Sequence, residues 1–197
     1  FFQDTHPEIL HHHIADLDQS QEEVLSFAGD SLGQLVETVD KEFYKRRWTD
    51  GVPIIPPTEE RIQWMLRGTD LPPDHLVGIL EPQKGLATVR TIAINAVMAG
   101  AGPEHLPVIL ALAASEEASM PSSTTSFGRM AVVNGPIRQE IGMNCGLGAL
   151  SPFNHANSVI GRAWTLMTIN LGDSRLGETF MGSTGNNMNY NNMMIAE

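Results

Sequence analysis

The chain of 197 residues is short of cysteine, aromatic residues and positive charge, and it lacks long apolar runs. Its single cysteine, Cys145, cannot form an internal disulfide, which excludes a disulfide-stapled fold and favours a reducing compartment. No run reaches the roughly 18 apolar residues that a membrane-spanning helix needs. The longest run, residues 106–114, is interrupted by Pro107. We therefore predict a cytoplasmic protein with no membrane segment.

The scarcity of positive charge limits the kinds of partner that the protein can bind. Twelve lysines and arginines stand against 23 aspartates and glutamates, which gives a formal net charge of −11. Such a chain repels phosphate backbones and anionic lipid, so we expect neither nucleic acid nor membrane as a partner. With 42% hydrophobic and 18% charged residues, the composition is that of a folded globular protein.

The chain is predicted to consist of three segments. Residues 1–20 form an extended His-rich arm, residues 21–180 a single globular domain, and residues 181–197 an Asn/Met-rich tail that serves as a contact segment. The consecutive histidines of the arm point about 100° apart on a helix, which favours a solvated arm over a metal site. We expect the chain to be one part of a larger protein or complex.

The apolar spacing predicts a fold of the α/β or α+β class, in which helices pack on a small sheet of short apolar strands. The signals are repeats at three and four residues for helices, and short apolar runs between turn residues for strands. Helices are predicted over residues 21–28, 31–43, 58–67, 87–99, 103–114 and 158–171, and strands over 76–80 and 130–133.

The proline-rich segment 48–58 is predicted to be an ordered loop. Its prolines remove backbone donors and push their predecessors into extended geometry, so the segment cannot be helical. Because its side chains are apolar, we expect them to pack in the interior. The side chains expected to be largely buried are Trp48, Pro53, Ile54, Ile55 and Pro56.

Residues 29–33 match the Gly-x-Ser-x-Gly string of a hydrolase nucleophile elbow. That motif requires a strand before the serine and a helix after it. The alternative is a helix start, in which Ser31 and Gln34 form a capping box. The helix start is favoured, because the preceding residues follow a helical pattern.

The segment 134–162 has the highest concentration of groups that could bind a small anion. Glycines allow the backbone to approach a ligand, the start of a helix offers free amides, and arginine adds a fork of donors. The alternative is a glycine-rich connection whose asparagines only cap turns. The predicted substrate-binding residues are Arg138, Asn144, Asn154, Asn157 and Arg162.

Three side chains of the same segment are candidates for catalysis. Glu140 or His155 could act as the acid or base, if burial raises the pKa of the carboxyl group towards neutrality. Cys145 near His155 could form a thiolate and imidazole pair. The alternative for Cys145 is a small buried hydrophobic residue. No zinc motif or phosphate-binding loop occurs in the sequence, and the sequence does not identify a cofactor.

Two stretches resemble a largely uncharacterised bacterial protein family. They are Trp-Thr-Asp-Gly-Val-Pro-Ile-Ile-Pro-Pro-Thr at 48–58, and Asn-Gly-Pro-Ile at 134–137 leading to Ile-Gly-Arg-Ala at 160–163. The family joins the Trp-Thr-Asp-Gly loop to a helix such as the one over 92–100, and the resemblance covers residues 45–180. Serine is common in the family at the position of Cys145.

These observations lead to two hypotheses of different kinds. The first is a subunit of a cytoplasmic bacterial enzyme, a lyase or hydrolase, that acts on a small anionic molecule bound by the Gly/Asn-rich loop and the arginines. The second is a non-catalytic structural subunit of a hetero-oligomeric complex. Both expect other protein chains as partners, in a homo- or hetero-oligomer.

Overall fold

The structure is a computed structural model that describes residues 24–120, 129–151, 153–179 and 193–196. The chain divides into two compact units, residues 1–39 and residues 40–197. The predicted His-rich arm and most of the predicted tail lie outside the described residues. The predicted division of the chain into three segments therefore stays a prediction.

In the first unit, a polar cap starts a helix. Helix α1, Leu32–Lys45, begins in this unit and ends in the second. The backbone N–H of Gln34 donates to Ser31 Oγ at 3.2 Å, and the side-chain oxygen of Gln34 accepts from the backbone N–H of Asp30 at 2.8 Å. Ser31 thus caps the helix as predicted, whereas the Gln34 side chain bonds the backbone of Asp30 and not that of Ser31, which a full capping box requires. The described residues before it, 24–29, form neither strand nor helix, so the hydrolase elbow and this part of the helix predicted over 21–28 are wrong.

The second unit has an α+β fold, in which helices pack on a small two-stranded antiparallel sheet. The predicted fold class is thereby confirmed. In chain order the remaining elements are α2 Glu59–Met65, β1 Leu76–Leu80, β2 Gly85–Thr88, α3 Val89–Ala99, α4 Leu106–Ala114, β3 Met130–Val133, α5 Ile137–Glu140, α6 His155–Asn170 and β4 Met193–Ala196, with single 3-10 turns at Leu66–Gly68 and Pro103–His105.

Two strand pairs lie at different places in the second unit. Strands β1 and β2 form an antiparallel hairpin that packs against α4. Strands β3 and β4 run parallel, with Ala131 opposite Met194, and β4 packs against α6. Strand β2 includes the residues where a helix was predicted to start. That helix, α3, begins only after Thr88, which forms a capping box with Thr91.

Helices α3, α4 and α6 form the core of the second unit, because each packs against the other two. Ile92 and Ala96 of α3, Ile109 of α4, and Ile160 and Ala163 of α6 have no exposed surface. Burial of each isoleucine side chain contributes roughly 1.5–3 kcal/mol, and the small alanines let the helices approach closely. This apolar core fixes the start of α6, where the candidate site lies.

The proline-rich loop alternates between interior and solvent. Ile54 is 5% exposed, whereas its neighbour Ile55 is 44% exposed, and Pro53 is exposed as well. An extended backbone sends successive side chains to opposite sides, so only every second residue can enter the core. Trp48 and Pro56 are half-buried. The prediction that all five side chains are largely buried is therefore wrong for Pro53 and Ile55.

Candidate functional site

The candidate segment runs from β3 through α5 and a loop into α6. Helix α6 covers residues 155–170, which confirms a helix ending near Leu171, although it starts three residues before the predicted Ser158. Between α5 and α6 lies a loop, residues 144–151 and 153, that carries Leu147, Leu150 and Phe153. We call it the apolar loop. Three asparagines determine its conformation.

Asn154 holds the apolar loop from inside. Its side-chain nitrogen donates to the carbonyls of Gly148 at 2.6 Å, Ser151 at 2.9 Å and Ala149 at 3.1 Å. Its side-chain oxygen accepts from the Asn144 side chain at 2.8 Å. The two N–H groups of this side-chain amide are therefore shared among three backbone carbonyls that would otherwise need water.

Asn157 joins the apolar loop to helix α6 and to strand β4. It is 6% exposed. Its side-chain oxygen accepts from the backbone N–H of Asn144 at 3.0 Å. Its side-chain nitrogen donates to the backbone carbonyls of Asn144 at 3.3 Å and Met194 at 3.0 Å. The amides of Asn144, Asn154 and Asn157 thus hold the loop in one conformation, and their role in binding a substrate stays a prediction.

The Arg162 side chain is bonded to the proline-rich loop, residues 48–58. Its Nε and Nη2 donate to the two carboxylate oxygens of Asp50, both at 2.9 Å. Nη2 also donates to the carbonyls of Val52 at 3.2 Å and Pro53 at 2.7 Å. The Asp50 side chain is 5% exposed and that of Arg162 is 21% exposed, so this is a largely buried bidentate ion pair. Arg162 therefore fixes the Trp-Thr-Asp-Gly loop, and only Nη1 has no hydrogen bond within the described part of the chain.

The other predicted site residues are not joined to one another. Arg138 is half-buried, whereas Glu140, Cys145 and His155 are exposed. Among the residues that the structure describes, no hydrogen bond links any two of these four side chains. Glu140 is therefore not buried, as its predicted role as acid or base required, and no hydrogen bond between the described residues joins Cys145 to His155.

The structure adds His105, which the sequence analysis missed. The His105 ring is 3% exposed and its centroid lies 5.9 Å from that of His155, edge to face. Its Nδ1 accepts from the Gly102 amide at 2.9 Å. Burial lowers the pKa of His105, while Glu104 raises it, the charge of His155 lowers it, and a hydrogen bond to the backbone of Ile141 raises it. Only the position of His105 two residues after Pro103, in the first turn of a predicted helix, could have drawn attention to it.

The apolar loop exposes large apolar side chains. Leu147 and Phe153 are fully exposed, and Leu150 is 63% exposed. Phe153 also has a φ of +78°, a left-handed conformation that non-glycine residues rarely adopt. Neither burial nor backbone preference explains why an aromatic residue occupies this position.

Within the described ranges, no group of three or more His, Cys, Asp or Glu side chains is arranged to hold a metal ion. The same ranges contain no helix with the length and apolar character that crossing a membrane requires. The chemistry of the segment therefore depends on amides, single charged groups and the exposed apolar side chains.

Comparison with known protein families, with curated proteins and with solved structures gave no match to this chain. The function is consequently argued from the geometry of the described residues.

Proposed function

We propose that this protein is a non-catalytic subunit of a hetero-oligomeric complex and that it binds its partner through the apolar loop. One observation carries the proposal: Leu147, Leu150 and Phe153 are exposed on a loop whose backbone is held by asparagine hydrogen bonds. Isolated surface leucines are common, whereas three large exposed apolar side chains on one short loop support an interaction site.

The order of the apolar loop favours binding. A loop that is already ordered loses little conformational entropy when a partner binds, which leaves more of the contact energy available for affinity. Asn154 and Asn157 provide that order without covering the apolar side chains. An exposed aromatic residue in such a loop is suited to fill a pocket on the partner, and a few side chains buried in this way carry most of the energy of an interface.

The charge of the chain favours a different protein over a second copy. At a formal net charge of −11, two copies repel one another, whereas a partner with net positive charge is attracted. We therefore propose a basic protein chain with an apolar pocket as the partner. The apolar loop itself, residues 144–151 and 153, contains no charged residue.

The test is capture of a defined partner by the tagged full chain. The partner is identified from the source cells, purified, and titrated against the wild-type chain and two variants. The Leu147→Ser/Phe153→Ser variant should lose at least about tenfold in affinity, as expected for apolar anchors. The matched control is Leu176→Ser, which alters a leucine that is 69% exposed outside the loop, and it should bind as the wild type does.

Two results would contradict the proposal. One is equal affinity of the loop variant and the Leu176→Ser control for the purified partner. The other is a stable homodimer of the chain alone in sedimentation velocity, which would show that net charge does not prevent self-association.

A second candidate function is the anion-binding enzyme, and one observation favours it. The residue before α6, Asn154, makes no side-chain cap, so its side chain does not bond the amides at the start of the helix. Such amides favour an anion. Half-buried Arg138 on α5 would supply the charge, with Glu140 or His155 as acid or base. If so, Arg138→Ala should weaken binding of phosphate or a small carboxylate by about 1.5–3 kcal/mol in calorimetry.

A further inference from the structure

His105 lies beside the two segments that flank the apolar loop. On one side the ring faces the backbone of Ile141, three residues before the loop, which favours protonation of the ring. On the other side it packs edge to face against His155, the first residue of α6. The ring is also bonded to Gly102 in the turn before α4. One buried imidazole therefore joins three segments of the chain.

The hydrogen bonds of His105 define its protonation state. The Gly102 amide donates to Nδ1, so Nδ1 carries no proton and the ring is neutral. A second proton on Nδ1 would set an N–H group against the N–H of Gly102. It would also place a positive charge in a site that is 3% exposed, beside the ring of His155. Protonation and the present set of contacts are thus mutually exclusive.

We propose that His105 is a pH-sensitive anchor of the apolar loop, which holds the loop while its ring is neutral and releases it when the ring is protonated. The effect of this release on partner binding rests on the proposed docking function of the loop. The release itself is independent of that function. Histidine is the side chain whose charge changes near neutral pH, which suits it to such a role.

The groups around His105 set the direction of the effect. Glu104, on the same turn, places Oε1 3.8 Å from Nδ1 and favours protonation, whereas His155 on α6 opposes it. Helix α4, which follows the turn, contains no titratable residue. The 3-10 turn Leu66–Gly68, which packs against the turn of His105, carries Arg67, and α5 carries Arg138 and Glu140. Burial is the largest of the influences and lowers the pKa of His105.

A lowered pKa in the folded chain fixes the pH range of the effect. The unfolded chain binds the proton at the ordinary value of about 6.5, before the folded chain does. The stability that His105 contributes is therefore fully present above that value. It is lost as the pH falls below it, towards the lower pKa of the folded state.

The experiment measures amide hydrogen-exchange protection of residues 144–151 in the full chain between about pH 7.5 and about pH 5, a range that spans histidine titration. In the wild type, protection should fall as the pH is lowered. His105→Gln retains an acceptor and a donor but does not titrate, so its protection should not change with pH. The control His75→Gln alters an exposed histidine, and it should behave as the wild type does.

A further variant keeps the test decisive if His105→Gln does not fold. Glu104→Gln removes an exposed charge that favours protonation, so the transition should move to lower pH. Protection that does not depend on pH in the wild type, or a Glu104→Gln transition at the wild-type position, would overturn the proposal. Partner binding measured in parallel separates the two proposals: a transition in exchange without any partner binding contradicts docking alone, and partner binding without a transition contradicts the anchor alone.

Discussion

The proline-rich loop, residues 48–58, and the apolar loop are both ordered by polar side chains. They differ in where their apolar side chains lie: the first loop sends one into the core, and the second exposes them to solvent. In the first, Arg162 binds Asp50 and two carbonyls, and Ile54 enters the core. In the second, asparagine amides bind the loop backbone, while Leu147 and Phe153 face solvent.

This difference separates a loop that stabilises the fold from a loop that is available for binding. Removal of one partner of a buried ion pair leaves the other charge uncompensated, so it must lower the stability of the protein. Exposed apolar side chains contribute nothing to folding, so their removal should leave stability unchanged and affect only a partner. The predictions below change one loop at a time.

The largest effect is expected for Arg162→Ala. The substitution leaves the Asp50 carboxylate, 5% exposed, without its partner, which costs about 3–5 kcal/mol for a buried pair broken on one side. The free energy of unfolding in urea measures the loss. The control is Arg47→Ala, because Arg47 and Glu178 form an exposed pair, and its cost should stay below about 1 kcal/mol. Equal costs for the two variants would contradict the structural role of Arg162.

A smaller effect is expected for Ile54→Ala in the same loop. Removal of a buried isoleucine side chain costs about 2–3 kcal/mol, towards the lower end for core residues. The neighbouring residue provides the matched control: Ile55 is 44% exposed, so Ile55→Ala should change the free energy of unfolding by less than about 0.5–1 kcal/mol. An equal loss of stability in the two variants would contradict the alternation of buried and exposed side chains along the loop.

Asn154→Ala should cost less than either buried group. It removes the hydrogen bonds to Gly148, Ala149 and Ser151, and the freed carbonyls can bind water, so we expect a loss of about 1–2 kcal/mol. Affinity for the partner should also fall, although no apolar side chain has changed, because the loop must now be ordered on binding. Asn134→Ala, in an exposed turn, is the control for both measurements. Unchanged affinity would show that order in the loop is irrelevant to binding.

Local signals predicted every helix of the described residues except α5, whereas the described part of the helix predicted over 21–28 is not helical. The apolar spacing identified α3 and α6, and the Ser31 and Gln34 pair identified the start of α1, because a cap involves residues only three positions apart. The strand-to-helix change at Thr88 was missed, since the apolar pattern continues from β2 into α3 without a break.

Contacts between distant residues could not be read from the sequence. Arg162 was predicted to bind an anion, but its partner Asp50 lies 112 positions earlier. The exposure of Leu147 and Phe153 could not be predicted either, because composition shows which residues are apolar and not which of them find neighbours. His105 and His155 likewise meet only through the packing of α4 and α6.

The measurement that tests the central claim most directly is the pair of effects produced by Phe153→Gly. Phe153 has a φ of +78° and is fully exposed. Glycine relieves the backbone strain, so the free energy of unfolding should stay the same or rise by up to about 1 kcal/mol. Affinity for the partner should fall at least about tenfold in the same preparation. A variant that loses stability, or that binds the partner with wild-type affinity, would contradict the claim that the apolar loop is built for binding.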